Sequence, residues 1–343
     1  MPDRAQSQKP RAEVKFHSPM WLHRYAKFVS AATVLLIVAG GLVTSTESGL
    51  SVPDWPTSYG WNMFTFPLKH MVGGIFYEHG HRLIASGVGF LTIGLALWLW
   101  LAEPRKWMRV LGFAALAAVI LQGVLGGITV LFFLPTAIST AHAGLAQIFF
   151  CLTIAISLFT SRGWQSAPAA GWVDDGMLRR IAMTTTVGIY IQILIGATMR
   201  HSDAGLAIPD FPLVFGGIVP LEWTPQIAIH YAHRLGALVV ALAIAATAGH
   251  VLYHHRDRKE LKRPAILLVC LVLAQITLGA FIIWSKKDVA INTAHVIVGA
   301  LTLATSLVLT LRSHRIRFAD AAVSKPAVAA TYPQELDRSG ARA

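Results

Sequence analysis

The chain has 343 residues, of which 55% are hydrophobic and only 13% are charged, and its mean hydropathy is +0.56. This number of charged side chains is too small to form the surface of a soluble globular protein. The composition therefore excludes that class and favours a polytopic membrane protein. The net charge of +12 follows membrane topology, as described below, and we expect no nucleic-acid binding.

Eight apolar segments reach the length of about 20 residues that a helix needs to cross a bilayer. In chain order they are 26–46, 82–101, 109–132, 140–160, 180–199, 232–253, 265–284 and 291–311. The sequence therefore predicts an all-α membrane protein with eight transmembrane helices.

Lysine and arginine are concentrated in alternate connections between these segments. The crowded regions are 4–27, 105–109, 162–180, 256–263 and 312–317, whereas the other connections hold Lys69, Arg200, Lys286 and Lys287. Cytoplasmic loops carry the excess of positive charge, so we expect both termini to be cytoplasmic. Residues 1–20 lack an apolar core, so we expect no cleavable signal peptide.

The second half of the chain repeats the motifs of the first half in the same order. Gly-Leu-x-x-Pro-Asp-aromatic-Pro occurs at 49–56 and 205–212, His-Arg at 81–82 and 233–234, Gln-x-x-Leu-Gly at 122–126 and 275–279, and Thr-Ala-His at 140–142 and 293–295. The offsets lie between 152 and 156 residues, which indicates a tandem duplication. Each unit has an even number of spans, so we predict two pseudo-symmetric four-helix bundles in one orientation.

These patterns divide the chain into two bundles with flanking segments. The predicted boundaries are a cytoplasmic tail at 1–25, an N-terminal bundle at 26–160, a cytoplasmic linker at 161–179, a C-terminal bundle at 180–312 and a disordered cytoplasmic tail at 313–343. The cysteines, Cys151 and Cys270, lie inside separate helices, so we expect no disulfide framework.

A long outer loop follows the first helix of each bundle and is rich in proline, glycine and aromatic residues. Long loops without strong secondary structure of their own are usually functional. Two interpretations stay open, an interfacial aromatic belt or a lid over a flat apolar ligand.

One histidine falls within the first turns of every second predicted helix, and together these are His81, His142, His233 and His295. The predicted topology places all four near the outer face. Imidazole is a common axial ligand of haem, and helix bundles build cofactor sites from inward-facing side chains. We therefore pair His81 with His142 and His233 with His295, one haem-sized site per bundle. Zinc is the competing metal, but it needs three or four close ligands, and ordinary hydrogen-bonded histidines are the simplest alternative.

Charged residues next to these histidines distinguish the two halves. Arg82 and Arg234 follow a histidine directly and could pair with haem propionates or act as ordinary interface arginines. Glu78 lies three residues before His81, whereas the matching residue of the second half is His230. A carboxylate beside one site alone suits an enzyme that handles protons there, while the other site relays electrons. The simpler alternative is a helix N-terminal carboxylate favoured by the helix dipole.

At these residues the chain resembles the haem A synthase family, over about residues 25–315. The matching segments are 46–56, 78–82, 140–142, 230–234 and 293–295. Neither outer loop contains cysteine, so the chain is similar to the branch without loop cysteine pairs, which includes mitochondrial and many proteobacterial forms. In a bacterium the protein would lie in the inner membrane.

The resemblance implies that His81 and His142, with Arg82 beside them, bind the substrate haem O, and that His233 and His295, with Arg234, hold a haem b. It implies that a ring methyl of haem O is oxidised to a formyl group through successive hydroxylations, giving haem A for cytochrome oxidase. Glu78 matches the acidic position of the active half. The expected partners are membrane lipid, haem O synthase, an electron donor and a second copy of the chain.

Two other functions remain open at this point. A quinol-linked di-haem b-type electron-transfer protein would use the four histidines but would leave Glu78 without a role. A transporter built from parallel repeats would carry broken helices and polar groups at mid-membrane, whereas the polar groups here gather near the outer face.

Overall fold

The structure is a computed structural model that describes residues 18–165, 174–315 and 318. Most of the predicted tails at 1–25 and 313–343, and the centre of the linker at 161–179, lie outside the described residues. Within the described residues the helices are α1 (Met20–Ser45), α2 (Gly74–Ala102), α3 (Lys106–Leu131), α4 (Thr136–Phe159), a short α5 (Arg162–Gln165), α6 (Gly176–His201), α7 (Pro225–His254), α8 (Lys259–Trp284) and α9 (Val289–Ser313). All except α5 are long and apolar enough to cross a membrane, which confirms the predicted fold class.

Two helices begin well before the predicted starts of their spans. Helix α2 begins at Gly74 rather than at residue 82, and α7 begins at Pro225 rather than at residue 232. The apolar pattern ends at the polar residues there, which include Glu78 and His230. The helices nevertheless continue through them, because these side chains bond to the outer loops. His81 and His233 therefore lie 7 and 8 residues after the first residues of their helices, about 10 Å along the axis.

The helix bounds repeat at the offsets of the sequence motifs. Helices α1 and α6 each have 26 residues and both of their ends differ by 156 positions. Helices α3 and α8 also have 26 residues each, with ends that differ by 153 positions. The duplication therefore extends from the motifs to the lengths of the helices.

Each unit of four long helices closes into a ring. Helix α1 packs against α2 and α4, and α3 packs against the same two helices; α6, α7, α8 and α9 repeat this arrangement. The diagonal pairs make no comparable contact in the described part of the chain. The two histidine-bearing helices of each bundle are therefore diagonal partners that face each other across the centre of the ring.

The two rings meet along α1, α4, α6 and α9. Helix α1 packs on α9, α6 packs on α4, and α4 also meets α9. Since α6 repeats α1 and α9 repeats α4, the first two contacts are the same contact made twice. Phe150 of α4 packs with Ala300 and Ala304 of α9 at the centre.

A buried carboxylate joins two helices at the end of the first bundle that lies opposite to its two predicted histidine ligands. Glu103, which is 1% exposed, accepts bonds from Arg105 Nε at 2.6 Å and Ser18 Oγ at 2.5 Å. Burial raises the pKa of this carboxyl, but the hydrogen bonds and positive charge of Arg105 and the hydrogen bond from Ser18 outweigh burial, so the pKa is lowered overall. The charged carboxylate therefore joins the start of α1 to the end of α2.

Replacing Arg105 by Ala should destabilise the protein, because Glu103 would stay buried without its cation. We expect the free energy of unfolding to fall by roughly 2 kcal/mol, below the range for a fully buried pair because Arg105 is partly exposed. The loss should be full above the ordinary glutamate pKa of 4.5 and should shrink at more acidic pH, as Glu103 is protonated in the wild type. Thermal unfolding in detergent measures this, with exposed Lys106→Ala as the control. Equal midpoints for Arg105→Ala and the control would contradict it.

Candidate functional site

Each of the four predicted histidine ligands lies against a glycine of the preceding long helix. The contacts are Gly40 with His81, Gly126 with His142, Gly196 with His233 and Gly279 with His295. A Cβ atom on these glycines would lie 3.1, 3.2, 2.8 and 3.5 Å, in that order, from Cε1 of the ring. The missing side chain therefore makes the room in which each imidazole sits.

The ring nitrogens of these histidines are largely unsatisfied. Nδ1 of His81, His142 and His295 is buried and makes no hydrogen bond of standard geometry among the described residues, although the backbones of Gln122 and Gln275 lie near the rings of His142 and His295. In His233 the same nitrogen lies 3.0 Å from the Gln192 amide. Buried polar atoms usually have partners, so three buried nitrogens without one point to rings held ready for a ligand.

A glutamine lies one helical turn before three of the four glycines, and sequence reasoning missed its role. The Gln122 amide donates to the His142 carbonyl oxygen at 2.8 Å, and the Gln192 amide donates to the His233 carbonyl oxygen at 2.8 Å. Gln275 has the same spacing to Gly279, whereas the first helix has Leu36 at this position. The spacing Gln-x-x-x-Gly was the available signal, and it is absent beside His81 alone.

The residues present fit a haem in each bundle. Two imidazoles on diagonal helices, seated on glycines and with unsatisfied nitrogens, match a planar macrocycle with two axial ligands. In each pair the two rings are close enough to interact electrostatically. Among the described residues, no third histidine, cysteine or acidic side chain joins either pair at ligand distance, so zinc lacks the ligands that it requires there.

Arg82 anchors the first outer loop to α2. Its Nη1 donates to the carbonyl oxygens of Asp54 at 2.7 Å and Thr57 at 3.1 Å. Its Nη2 donates to the carbonyl oxygen of Val52 at 2.9 Å and to Glu78 Oε1 at 2.6 Å. Both terminal nitrogens are thus engaged by the protein itself, and the contact with a haem propionate stays a prediction.

Arg234 repeats this anchor in the second bundle. Nη1 donates to the carbonyl oxygen of Leu213 at 2.9 Å, and Nη2 donates to those of Ile208 at 3.0 Å and Asp210 at 2.7 Å. Its Nε is buried without a partner among the described residues. The arginine after each histidine therefore holds the Pro-Asp-aromatic-Pro motif over the outer end of its bundle.

The aspartate of that motif caps a turn in both loops. Asp54 accepts the backbone N–H of Tyr59 at 2.6 Å and of Gly60 at 2.9 Å, and Asp210 accepts the corresponding N–H groups of the second loop. Burial raises the pKa of Asp54, but these bonds outweigh it and lower the pKa overall. Gly60 has a φ of 77°, in the left-handed region that favours glycine, so the turn depends on both residues.

Glu78 and His230 occupy equivalent positions and accept equivalent bonds. Glu78 Oε2 accepts the backbone N–H of Val52 at 2.8 Å, and His230 Nδ1 accepts that of Ile208 at 3.3 Å. Both side chains are 3% exposed. Loop attachment is therefore common to the two halves, and the difference lies in the second carboxylate oxygen and in the ion pair with Arg82.

Trp55 of the first loop extends over the outer end of α3. A Cβ atom on Gly127 would lie 2.4 Å from the indole ring, so only glycine permits this contact. Nearby, Ser58 bonds to Nδ1 of buried His79 at 2.9 Å. These contacts hold the loop on the helices, but Trp55, Tyr59, Trp61 and Phe64 are 39–60% exposed, so the lid and the aromatic belt both stay open.

Comparison with known proteins gives a consistent result. The cytochrome oxidase assembly protein family matches residues 23–307. The chain is 28% identical to the haem A synthase of Geobacillus kaustophilus, over 90% of this chain and 99% of the relative. It is 27% identical to the haem A synthase of Alkalihalophilus pseudofirmus, over 84% and 98%, and 27% identical to that of Halalkalibacterium halodurans, over 83% and 95%.

Replacing two of these glycines by alanine, one at a time, should show whether a close contact between glycine and imidazole is needed to retain haem. In Gly196→Ala the new methyl group would clash with His233, so we expect haem retention to fall by about 10-fold. Gly279→Ala is the matched control, because its Cβ would make an ordinary van der Waals contact with His295. Haem per protein and the reduced-minus-oxidised spectrum measure this. Equal haem retention in the two variants would rule out seating as the cause.

Proposed function

This chain belongs to the family of cytochrome oxidase assembly proteins, and from that premise we propose that it is a haem A synthase. It is an oxidoreductase that converts the ring methyl of haem O to the formyl group of haem A through successive hydroxylations. The observation that carries the proposal is two diagonal imidazole pairs with a carboxylate beside only one of them. A di-haem electron-transfer protein needs the pairs but not this difference.

The N-terminal bundle, residues 26–160, binds the substrate haem O between His81 and His142. Two features of this bundle suit a substrate rather than a resident cofactor. The position one turn before Gly40 is Leu36 rather than glutamine, so His81 lacks the amide that lies beside His233. The first loop also places Trp55 against Gly127, where the second half has Phe211 and Ala280, so the cover of this bundle differs from that of the cofactor site.

The C-terminal bundle, residues 180–312, holds a haem b between His233 and His295. Bound there, haem b supplies one-electron redox chemistry. The residues of the bundle orient the ligands: Gly196 and Gly279 seat the rings, and Gln192 contacts both the ring nitrogen and the carbonyl oxygen of His233. Arg234 keeps the second loop closed over this site.

Glu78 is the acid–base group of the active half. Each hydroxylation of the ring methyl breaks a C–H bond at that carbon, so a carboxylate near the substrate is useful as an acceptor of the proton. Its ion pair with Arg82 at 2.6 Å holds the carboxylate in place, and the charge also suits cationic character developing at the methyl carbon.

We place the protein in a bacterial inner membrane with both termini cytoplasmic, and the distribution of basic residues supports this orientation. Helix ends on one side carry Arg105, Lys106 and Arg109 and their counterparts near residues 256–263, whereas the outer-loop side has few such residues. The four histidines then lie toward the outer face. An electron donor, haem O synthase and further copies of the chain are the partners that this function calls for.

Replacing Glu78 by Gln should stop the conversion while keeping both haem sites. Glutamine still accepts the Val52 N–H, so the loop stays attached, but the charge is lost; we expect turnover to fall by at least about 100-fold. Haem O and haem A extracted from membranes measure this, and His230→Gln is the matched change in the other half. Wild-type haem A levels in Glu78→Gln would remove Glu78 from the mechanism.

Haem identity in ligand variants should separate the two bundles. In His81→Ala we expect loss of haem O and haem A with haem b retained, and in His233→Ala we expect loss of haem b. Extraction from the purified protein with mass identification, together with a reduced-minus-oxidised spectrum, measures both. Haem b alone in both bundles of the wild type would favour the electron-transfer protein.

A further inference from the structure

A cluster of two histidines and an aspartate lies at the end of the second bundle opposite to the four predicted haem ligands. Asp175 Oδ2 lies 2.7 Å from His250 Nε2 and 2.9 Å from His255 Nε2. The three side chains are between 15% and 20% exposed. Their ligand atoms all lie within 4.8 Å of one another, so three groups of metal-ligating type converge on one point.

The local structure explains why these side chains converge. Asp175 is the N-cap of α6, and its Oδ1 accepts the N–H of Leu178 at 2.9 Å, which fixes the carboxylate. His250 lies in the last turns of α7, and His255 is its C-cap. Because His255 has left the helical path, its ring reaches the same oxygen as that of His250.

The equivalent corner of the first bundle is closed by different chemistry. Glu103 stands at the position of His255, and Arg105 bonds to its carboxylate through Nε and Nη2 at 2.6 and 3.0 Å. In the described residues the ion-pair partners of Asp175 are the two histidines, with no arginine or lysine among them. The second corner therefore has a carboxylate and two imidazoles where the first has a carboxylate and a guanidinium.

We propose that Asp175, His250 and His255 bind a divalent transition-metal ion, with zinc as the ion that fits best. Histidine nitrogen and carboxylate oxygen are both zinc ligands, and metal–ligand bonds of 2.0–2.1 Å place tetrahedral ligand atoms about 3.3 Å apart. The observed 2.7 and 2.9 Å separations need to open by about 0.6 and 0.4 Å, and the two imidazole nitrogens, which lie within 4.8 Å of each other, need to reach the same spacing. Water takes the fourth position.

The surrounding contacts suit this ion. The bond from Leu178 holds the second carboxylate oxygen, as outer-shell bonds do at metal sites. The ion supplies the positive charge that Arg105 supplies in the first bundle, and it ties the start of α6 to the end of α7. The site is separate from the haem chemistry.

Equilibrium dialysis of the haem-loaded protein against Zn²⁺ tests the proposal. The protein is purified without a polyhistidine tag and treated with a chelator, and zinc and iron are then measured by mass spectrometry. We expect about one zinc per chain in the wild type and its loss in His250→Ala and His255→Ala. His254→Ala is the matched control, because this exposed histidine stacks on His250 at 4.6 Å but lies outside the cluster, and it should keep its zinc.

A second variant keeps the test valid if the alanine variants fold poorly. His255→Gln retains a side-chain donor for Asp175 but loses the imidazole, and haem content reports whether the fold is intact. Zinc should raise the thermal midpoint of the wild type in a concentration-dependent manner but leave that of His255→Gln unchanged. The proposal would be overturned if the wild type retained no more zinc than the haem-loaded His250→Ala or His255→Gln proteins. The cluster would then be a hydrogen-bonded cap.

Discussion

The seating of an imidazole against a glycine of the neighbouring helix is the contact on which both bundles depend. It occurs four times, between the first and second and between the third and fourth long helices of each unit. The close contacts at Gly40, Gly126 and Gly196 restrict how far the two helices can slide past each other, so they set the helix register as well as the position of the ligand. The four helices of each bundle close into a ring, which places the two histidine-bearing helices diagonally across from each other. A site for a large planar group then lies between the two imidazoles.

The outer loops belong to the site because their backbone is satisfied from the helices beneath them. Irregular backbone near a membrane needs partners within the protein, and a guanidinium supplies them in each half by binding three loop carbonyl groups. This use of Arg82 and Arg234 explains why an arginine directly follows the ligand histidine. The lid and the ligand are thus set by adjacent residues of one helix.

Much of this organisation could be predicted from the sequence, and the exceptions have physical causes. The eight spans, the duplication and the four histidines follow from hydropathy and from motifs repeated at nearly one offset. The starts of α2 and α7 could not be predicted, because Glu78 and His230 look like helix boundaries until their bonds to Val52 and Ile208 are known. The glutamines were missed since their role depends on which helices are neighbours, and hydropathy does not specify that.

The contact between the two four-helix bundles has a consequence for the origin of the chain. Helix α1 on α9 and α6 on α4 form an isologous interface, the kind by which two identical subunits associate about a two-fold axis. A single four-helix ancestor could have assembled in this way as a homodimer, with the same residue at position 78 of each copy. Fusion into one polypeptide removed that identity. Having Glu78 in one bundle and His230 in the other is thus a division of labour that a dimer of identical subunits cannot have.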